Sequence, residues 1–189
     1  EVGAQTLDLE GLARHRSSVL GLIPGESQPS QKKFDSLIWD ALGRFDPNLP
    51  VFVESESRKV GNVSIPESLM LAIRAGACLR VDTPTELRVE LLMQDYPFFV
   101  QDTAFFCARL QTLTDLRGRE VVQGWCDAVQ AGRIRDVVRQ LVEIHYDPGY
   151  AQSTQRNYSQ FSDAKVLNAA HIEASAFLHL ARRCLEAAN

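Results

Sequence analysis

The sequence predicts an α/β protein, with a parallel sheet in its first half and an all-helical region in its second. Three observations carry this. Short apolar runs of strand length alternate with helix-periodic segments as far as Tyr96. Two helical segments open on Pro-bearing start signals, Ser64-Ile65-Pro66-Glu67 and Thr83-Pro84-Thr85-Glu86. Beyond Pro97 only helical periodicity remains, so the α/β domain is drawn over 1–97 and the helical region over 98–189.

The elements follow in order. Residues 6–9 form a short strand ending among Asp8 and Glu10, and a Gly/Pro/Ser-rich loop spans 21–30. Phe34, Leu37, Ile38, Ala41, Leu42 and Phe45 then recur on one helix face, which Asp46-Pro47 stops. Residues 50–53 read as a buried strand and 54–59 as a charged segment leaving its carboxyl end. A helix to about Ala75, a strand over 77–81 and a helix to about Tyr96 complete the first half. In the second, Val121, Val122, Trp125 and Val129 mark one helix, and Ile134, Val137, Val138, Leu141 and Val142 another. Tyr146-Asp147-Pro148-Gly149-Tyr150 is expected to break the pattern before a last helix through Leu167, Ala170, Ala174, Phe177, Leu178, Ala181 and Leu185.

The 189 residues are 45% apolar and 23% charged, enough to fold around a core that buries roughly 70% of the unfolded surface. No apolar run approaches the ~20 residues of a membrane span and no basic-then-apolar leader opens the chain, so a soluble cytoplasmic protein is expected. The first residue is Glu1 rather than Met, so either something was removed upstream or this is a piece of a longer protein. Cys78, Cys107, Cys126 and Cys184 stand far apart among apolar neighbours and are expected reduced and buried. Neither they nor the 4 histidines have ligand spacing, and no metal site is expected from them. The net charge is −4, with 10 Lys/Arg against 14 Asp/Glu over 1–97 and 10 against 10 beyond. RNA binding would then need a local basic patch. Arg109, Arg117, Arg119, Arg133, Arg135 and Arg139 offer one, or merely solvate a helix face.

Ligands of parallel sheets bind at the carboxyl ends of the strands, where two polar stretches fall. Asp8-Leu9-Glu10-Gly11-Leu12-Ala13-Arg14-His15-Arg16 is the first and Glu54-Ser55-Glu56-Ser57-Arg58-Lys59-Val60-Gly61 the second. Their carboxylates suit a hydroxyl or Mg²⁺, and their cations suit phosphate. The pattern alone is unspecific, and the chain has no Gly-x-x-x-x-Gly-Lys-Ser/Thr loop.

These stretches resemble signatures of bacterial tRNA 2-selenouridine synthases. So do Gln28-Pro29-Ser30-Gln31-Lys32-Lys33-Phe34, Arg80-Val81…Arg88-Val89…Asp95-Tyr96 and Tyr146-Asp147-Pro148-Gly149-Tyr150, in the same order. Ser17 departs from the pattern, which usually has Gly there. The resemblance implies a partial P-loop-NTPase-like sheet lacking its phosphate-binding loop, with the rhodanese-like domain, its catalytic cysteine and the P-loop lying upstream. It implies a transferase that converts wobble 2-thiouridine of tRNA to 2-selenouridine through S-geranylation by geranyl diphosphate, then displacement with selenophosphate. No tightly bound cofactor is implied.

Under that resemblance, Arg14, His15, Arg16, Arg58 and Lys59 are expected to face the substrate phosphates. Asp8, Glu10, Glu54 and Glu56 would orient them or hold Mg²⁺, and Arg133, Arg135 and Arg139 would contact tRNA. Phe98, Phe99, Phe105 and Phe106 are candidate walls for a prenyl chain, or plain core. Loss of a central P-loop strand would expose two sheet edges, making the chain marginal and inactive alone, or dependent on the upstream portion as a partner. A P-loop-type small-molecule kinase fragment and a non-catalytic helical interaction module remain the alternatives.

Overall fold

The computed structural model describes residues 2–188. It forms two compact units, the first from Glu1–Arg80, Asn157–Lys165 and Leu178–Asn189, the second from Val81–Arg156 and Val166–Phe177.

In the first unit, β1 (Gln5–Leu7) passes through Asp8 into the short helix α1 (Leu9–Ala13), and a loop leads to α2 (Gln31–Leu42). β2 (Val51–Val53), β3 (Lys59–Val60), β4 (Val63–Ser64) and α3 (Glu67–Ala75) follow, and β5 (Leu79–Asp82) leads the chain into the second unit. β1 and β2 pair in parallel, Gln5 opposite Val51, Thr6 opposite Phe52 and Leu7 opposite Val53. The mixed α/β class is as expected, in small sheets rather than one broad one. Ser30 caps α2 by accepting from Lys33 N–H at 3.3 Å. The helix lays Phe34 and Ile38 onto Leu7, Leu9, Val60, Val63, Ile65 and Met70, which form the core of this unit.

Within the charged segment expected over 54–59, the last residue already belongs to a hairpin. Lys59 pairs with Ser64 and Val60 with Val63, antiparallel. Its two-residue loop, Gly61-Asn62, needs the left-handed φ of +61° at Gly61. A Cβ there would also lie 2.2 Å from Gln28 Oε1. Gln28 fills that space: its Nε2 donates to Ala13 C=O at 3.1 Å and Val60 C=O at 3.0 Å, and its Oε1 accepts from Asn62 N–H at 2.8 Å. One amide thus ties the end of α1 to the hairpin. Gln31 does the same for the edge of β4, pairing with both Ser64 N–H and Ser64 C=O at 2.8 Å.

The second unit continues with α4 (Thr85–Asp95), α5 (Pro97–Gln101), α6 (Thr103–Gln111), α7 (Thr114–Arg117), α8 (Arg119–Gln130) and α9 (Ile134–Gln140). A π-helical turn (Leu141–Tyr146) and α10 (Asp147–Asn157) extend it. α6 packs along α8 and α4 along α9. Phe106, Cys107 and Leu110 meet Val122, Trp125, Cys126 and Val129 as the buried faces of α6 and α8. Phe99 stacks on Phe106 with ring centres 4.5 Å apart, and Phe98 stands edge-on to Phe99 at 4.6 Å. These rings pack against one another as core.

Two expectations fail. The Tyr146–Tyr150 segment does not end the helix. A Pro clashes with the carbonyl four residues back, and the wide π turn just before Pro148 relieves that crowding, with Asp147 N–H reaching Val142 C=O. The C-terminal region is helical, as expected, but its last helix does not begin at Leu167. β6 (Lys165–Asn168) pairs with β5, and α11 (Ala174–Ala188) begins only afterwards. Leu167 and Ala169 are both buried, an alternation of two that belongs to a strand. The helix reading instead joined Leu167 to Ala170, which is exposed. Among the described residues no helix is long and apolar enough to cross a membrane.

Candidate functional site

The parallel register places both polar stretches together. Leu7 and Val53 are partners, so Asp8 and Glu54 leave adjacent carboxyl ends. Asp8 is spent on local structure: Gly11 N–H donates to its Oδ1 at 2.7 Å, capping α1. The next link is between the stretches, Glu10 N–H donating to Glu54 Oε1 at 2.9 Å. The Glu56 carboxyl group lies close enough to Glu10 for its charge to act on it. Burial first, then the charges of Glu56, Glu54 and Asp8, push the Glu10 carboxyl up to about 7. Burial also raises Glu56, against the opposing pull of its bonds from Ser17 and Ser57.

Arg14 ends α1 in the left-handed conformation, at φ +51°, and its side chain is exposed. His15 is buried, at 9% exposure, and Arg16 is half-buried. The loop closes through Arg16 N–H to Gly21 C=O at 3.0 Å and Gly21 N–H to Ser18 C=O at 2.8 Å. A Cβ on Gly21 would sit 2.6 Å from Arg16 C=O, so only glycine permits this closure. Inside it lies Ser17, at φ +38°. The position where the resembling family has Gly keeps its left-handed turn with a serine, whose hydroxyl donates to Glu56 Oε2.

Arg58 and Lys59 are exposed beyond Glu56 and make no ion pair among the described residues. Two further contributors were silent in the sequence. Ser17 drew notice only as a departure, with nothing to say that it would reach a residue 39 positions away. Tyr158, from outside both stretches, donates its hydroxyl to Glu56 C=O at 3.2 Å. The site can therefore hold and exchange a proton on its carboxyl pair and offer exposed cations on the same loops.

The remaining predicted residues lie in the second unit. Arg139 grips Glu86 with Nε to Oε1 at 2.8 Å and Nη2 to Oε2 at 2.9 Å, and Arg135 reaches the same carboxylate at 3.4 Å. Arg133 is exposed at the start of α9. Among the described residues no group of three or more His, Cys, Asp or Glu is arranged to hold a metal ion. Cys107 and Cys126 are buried, and burial pushes Cys126 up to about 11, far from a reactive thiolate.

A parallel strand pair with charged loops gathered at its carboxyl ends places the chain in the P-loop-like α/β class. Comparison with known proteins sharpens this. A family model described as the tRNA 2-selenouridine synthase AAA domain matches residues 2–116, and the chain belongs to that family. The tRNA 2-selenouridine synthase of Nitrosomonas europaea is 39% identical over 93 residues, 48% of this chain and 24% of that protein. That of Alcanivorax borkumensis is 38% identical over 92 residues, 48% of this chain and 25% of the relative. The matched segment thus spans about a quarter of the curated relatives. No solved structure matches the chain.

Proposed function

We propose that this chain supplies substrate-orienting residues of a tRNA-modifying 2-selenouridine synthase working in the cytoplasm on wobble 2-thiouridine. Its co-substrates are geranyl diphosphate and selenophosphate. Arg14, His15, Arg16, Arg58 and Lys59 form the phosphate-facing set, and Glu10, Glu54 and Glu56 the orienting carboxyl set. The observation that carries this reading is the Glu10 N–H bond to Glu54 at 2.9 Å, which joins the two stretches at the strand ends.

Expelling diphosphate builds negative charge on a leaving oxygen, and a cation fixed nearby lowers that barrier. Arg58 is suited to this because no carboxylate of the described chain neutralises it. For the carboxyl set, orientation is favoured over Mg²⁺ binding. Glu10 keeps a proton near neutral pH and Glu54 is occupied by a backbone N–H, so both are weak partners for a hard cation. For tRNA, the exposed Arg133 is a better contact than Arg135 or Arg139, whose charge Glu86 already meets. The chain alone is inactive on this reading, since the sulfur-transfer cysteine and phosphate-binding loop belong to a rhodanese-like and P-loop portion.

Arg58→Ala in the intact enzyme tests this. The expected result is a fall in kcat/KM of about 100-fold at an unchanged melting temperature. Wild-type turnover would remove Arg58 from the phosphate site.

A further inference from the structure

Tyr158 is buried, at 7% exposure, in the short return of the chain between α10 and β6. That return belongs to the first unit. Besides Tyr158, it is fastened there by Gln160 Nε2 donating to Ala75 C=O at 2.7 Å and Lys165 N–H donating to Cys78 C=O at 3.2 Å. It lies beyond residues 2–116, which the family model covers. A phenylalanine would fill the same space, so the buried hydroxyl has to be accounted for by the bond it makes.

That bond runs to Glu56 C=O at 3.2 Å, across 102 residues of sequence. The oxygen belongs to the peptide unit joining Glu56 to Ser57. In a trans peptide the C=O and the following N–H point opposite ways, and here Ser57 N–H donates to Glu56 Oε2 at 3.2 Å. One plane is thus held from both sides, and a rotation that frees one bond frees the other. Glu56 N–H is fixed as well, donating to Glu54 C=O at 2.8 Å. Burial raises the Tyr158 phenol, with Arg74 pulling against it and Glu56 and Cys78 adding to it, so the hydroxyl keeps the proton it donates.

We propose that Tyr158 is a positioning residue for the carboxyl cluster, holding the Glu56–Ser57 peptide so that Ser57 N–H stays aimed at the Glu56 carboxylate. Its effect on turnover rests on the function proposed above; the coupling between Tyr158 and Glu56 does not.

Tyr158→Phe removes the hydroxyl and keeps the ring. The test follows the side-chain carboxyl carbon NMR signals of Glu10 and Glu56 against pH in the 189-residue chain. The groups acting on Glu56 are Ser17, Ser57, Glu54 and Glu10, and the substitution alters none of them. A donated N–H favours the ionised carboxylate, so with Ser57 released the Glu56 titration is expected to move to higher pH by about half a unit or more. A merely space-filling tyrosine would leave it in place, and a Glu56 titration unchanged or moved to lower pH would overturn the proposal. The unaltered chain gives a second reading that needs no variant: the Ser57 amide proton signal should follow the Glu56 titration, and a signal that ignores it would equally overturn the proposal. Wild-type turnover in Arg58→Ala would refute the phosphate-site assignment without touching either titration, so the two failures are distinguishable.

Discussion

Burial beside Glu56, Glu54 and Asp8 leaves the Glu10 carboxyl titrating at about 7 rather than 4.5, and this has a thermodynamic consequence. The folded chain keeps a proton there that the unfolded chain releases, so stability falls as pH rises from about 4.5 to 7. Below that window nothing is lost, and above it the full cost is in place. A shift of this size on a fully desolvated group would represent ~3 kcal/mol, but water reaches part of this half-buried side chain and reduces it to about 1 kcal/mol. Glu10→Gln keeps a donor for Glu56 and removes the titration. Urea denaturation should then find the variant more stable than wild type by about 1 kcal/mol at pH ~8 and no more stable at pH ~4. Equal curves at both values would mean that the carboxyl is solvated and ionises normally. Ser17 is a second residue set against its own preference: its left-handed backbone costs ~1 kcal/mol, while its hydroxyl helps to hold Glu56. Ser17→Gly trades the two, so its stability should change little while the Glu56 titration moves.

At the scale of elements, Gln28 shows how a loop side chain builds a site without belonging to it. Its amide satisfies Ala13 C=O, Val60 C=O and Asn62 N–H, and so sets the end of α1 against the hairpin that follows Glu56. Gln28→Ala strands these groups and should lower stability by about 2 kcal/mol. Hydrogen exchange should quicken at Asn62 and leave α8 alone; protection retained at Asn62 would mean that the hairpin needs no such tie. Nothing in the sequence marks this glutamine, because a long-range side-chain bond has no period. What was legible was periodic or punctuated. α2 is read from Phe34, Ile38, Ala41 and Phe45, and α3 and α4 from the prolines before them. The meeting of the Asp8 and Glu54 stretches was legible through the strand-end rule, since β1 and β2 are parallel and in register. β6 was lost because Leu167 also stands at a helical spacing from Ala170, and α10 because Pro-Gly ordinarily ends a helix.

Over the whole chain, charge limits how RNA can be held. The net charge is −4, and neither half carries an excess of Lys/Arg. Of the arginines the sequence singles out for tRNA, Arg135 and Arg139 are already met by Glu86. Each phosphate neutralised by a protein cation contributes about 0.7 to 0.9 to the slope of log affinity against log salt. Outside the first loop, Arg58, Lys59, Arg119 and Arg133 are the exposed cations of the predicted sets that make no ion pair among the described residues, so these sets offer few such contacts. Binding of tRNA carrying 2-thiouridine should therefore be weak and shallow in its salt dependence, with a slope of about −1 to −3 between ~50 and ~200 mM salt. Fluorescence anisotropy against tRNA lacking the thio group measures both the slope and the discrimination. A steep slope without discrimination would place a basic surface elsewhere on the chain and reduce the arginine pairs to surface decoration. A shallow slope with discrimination would mean that this segment contributes recognition of the base rather than electrostatic grip.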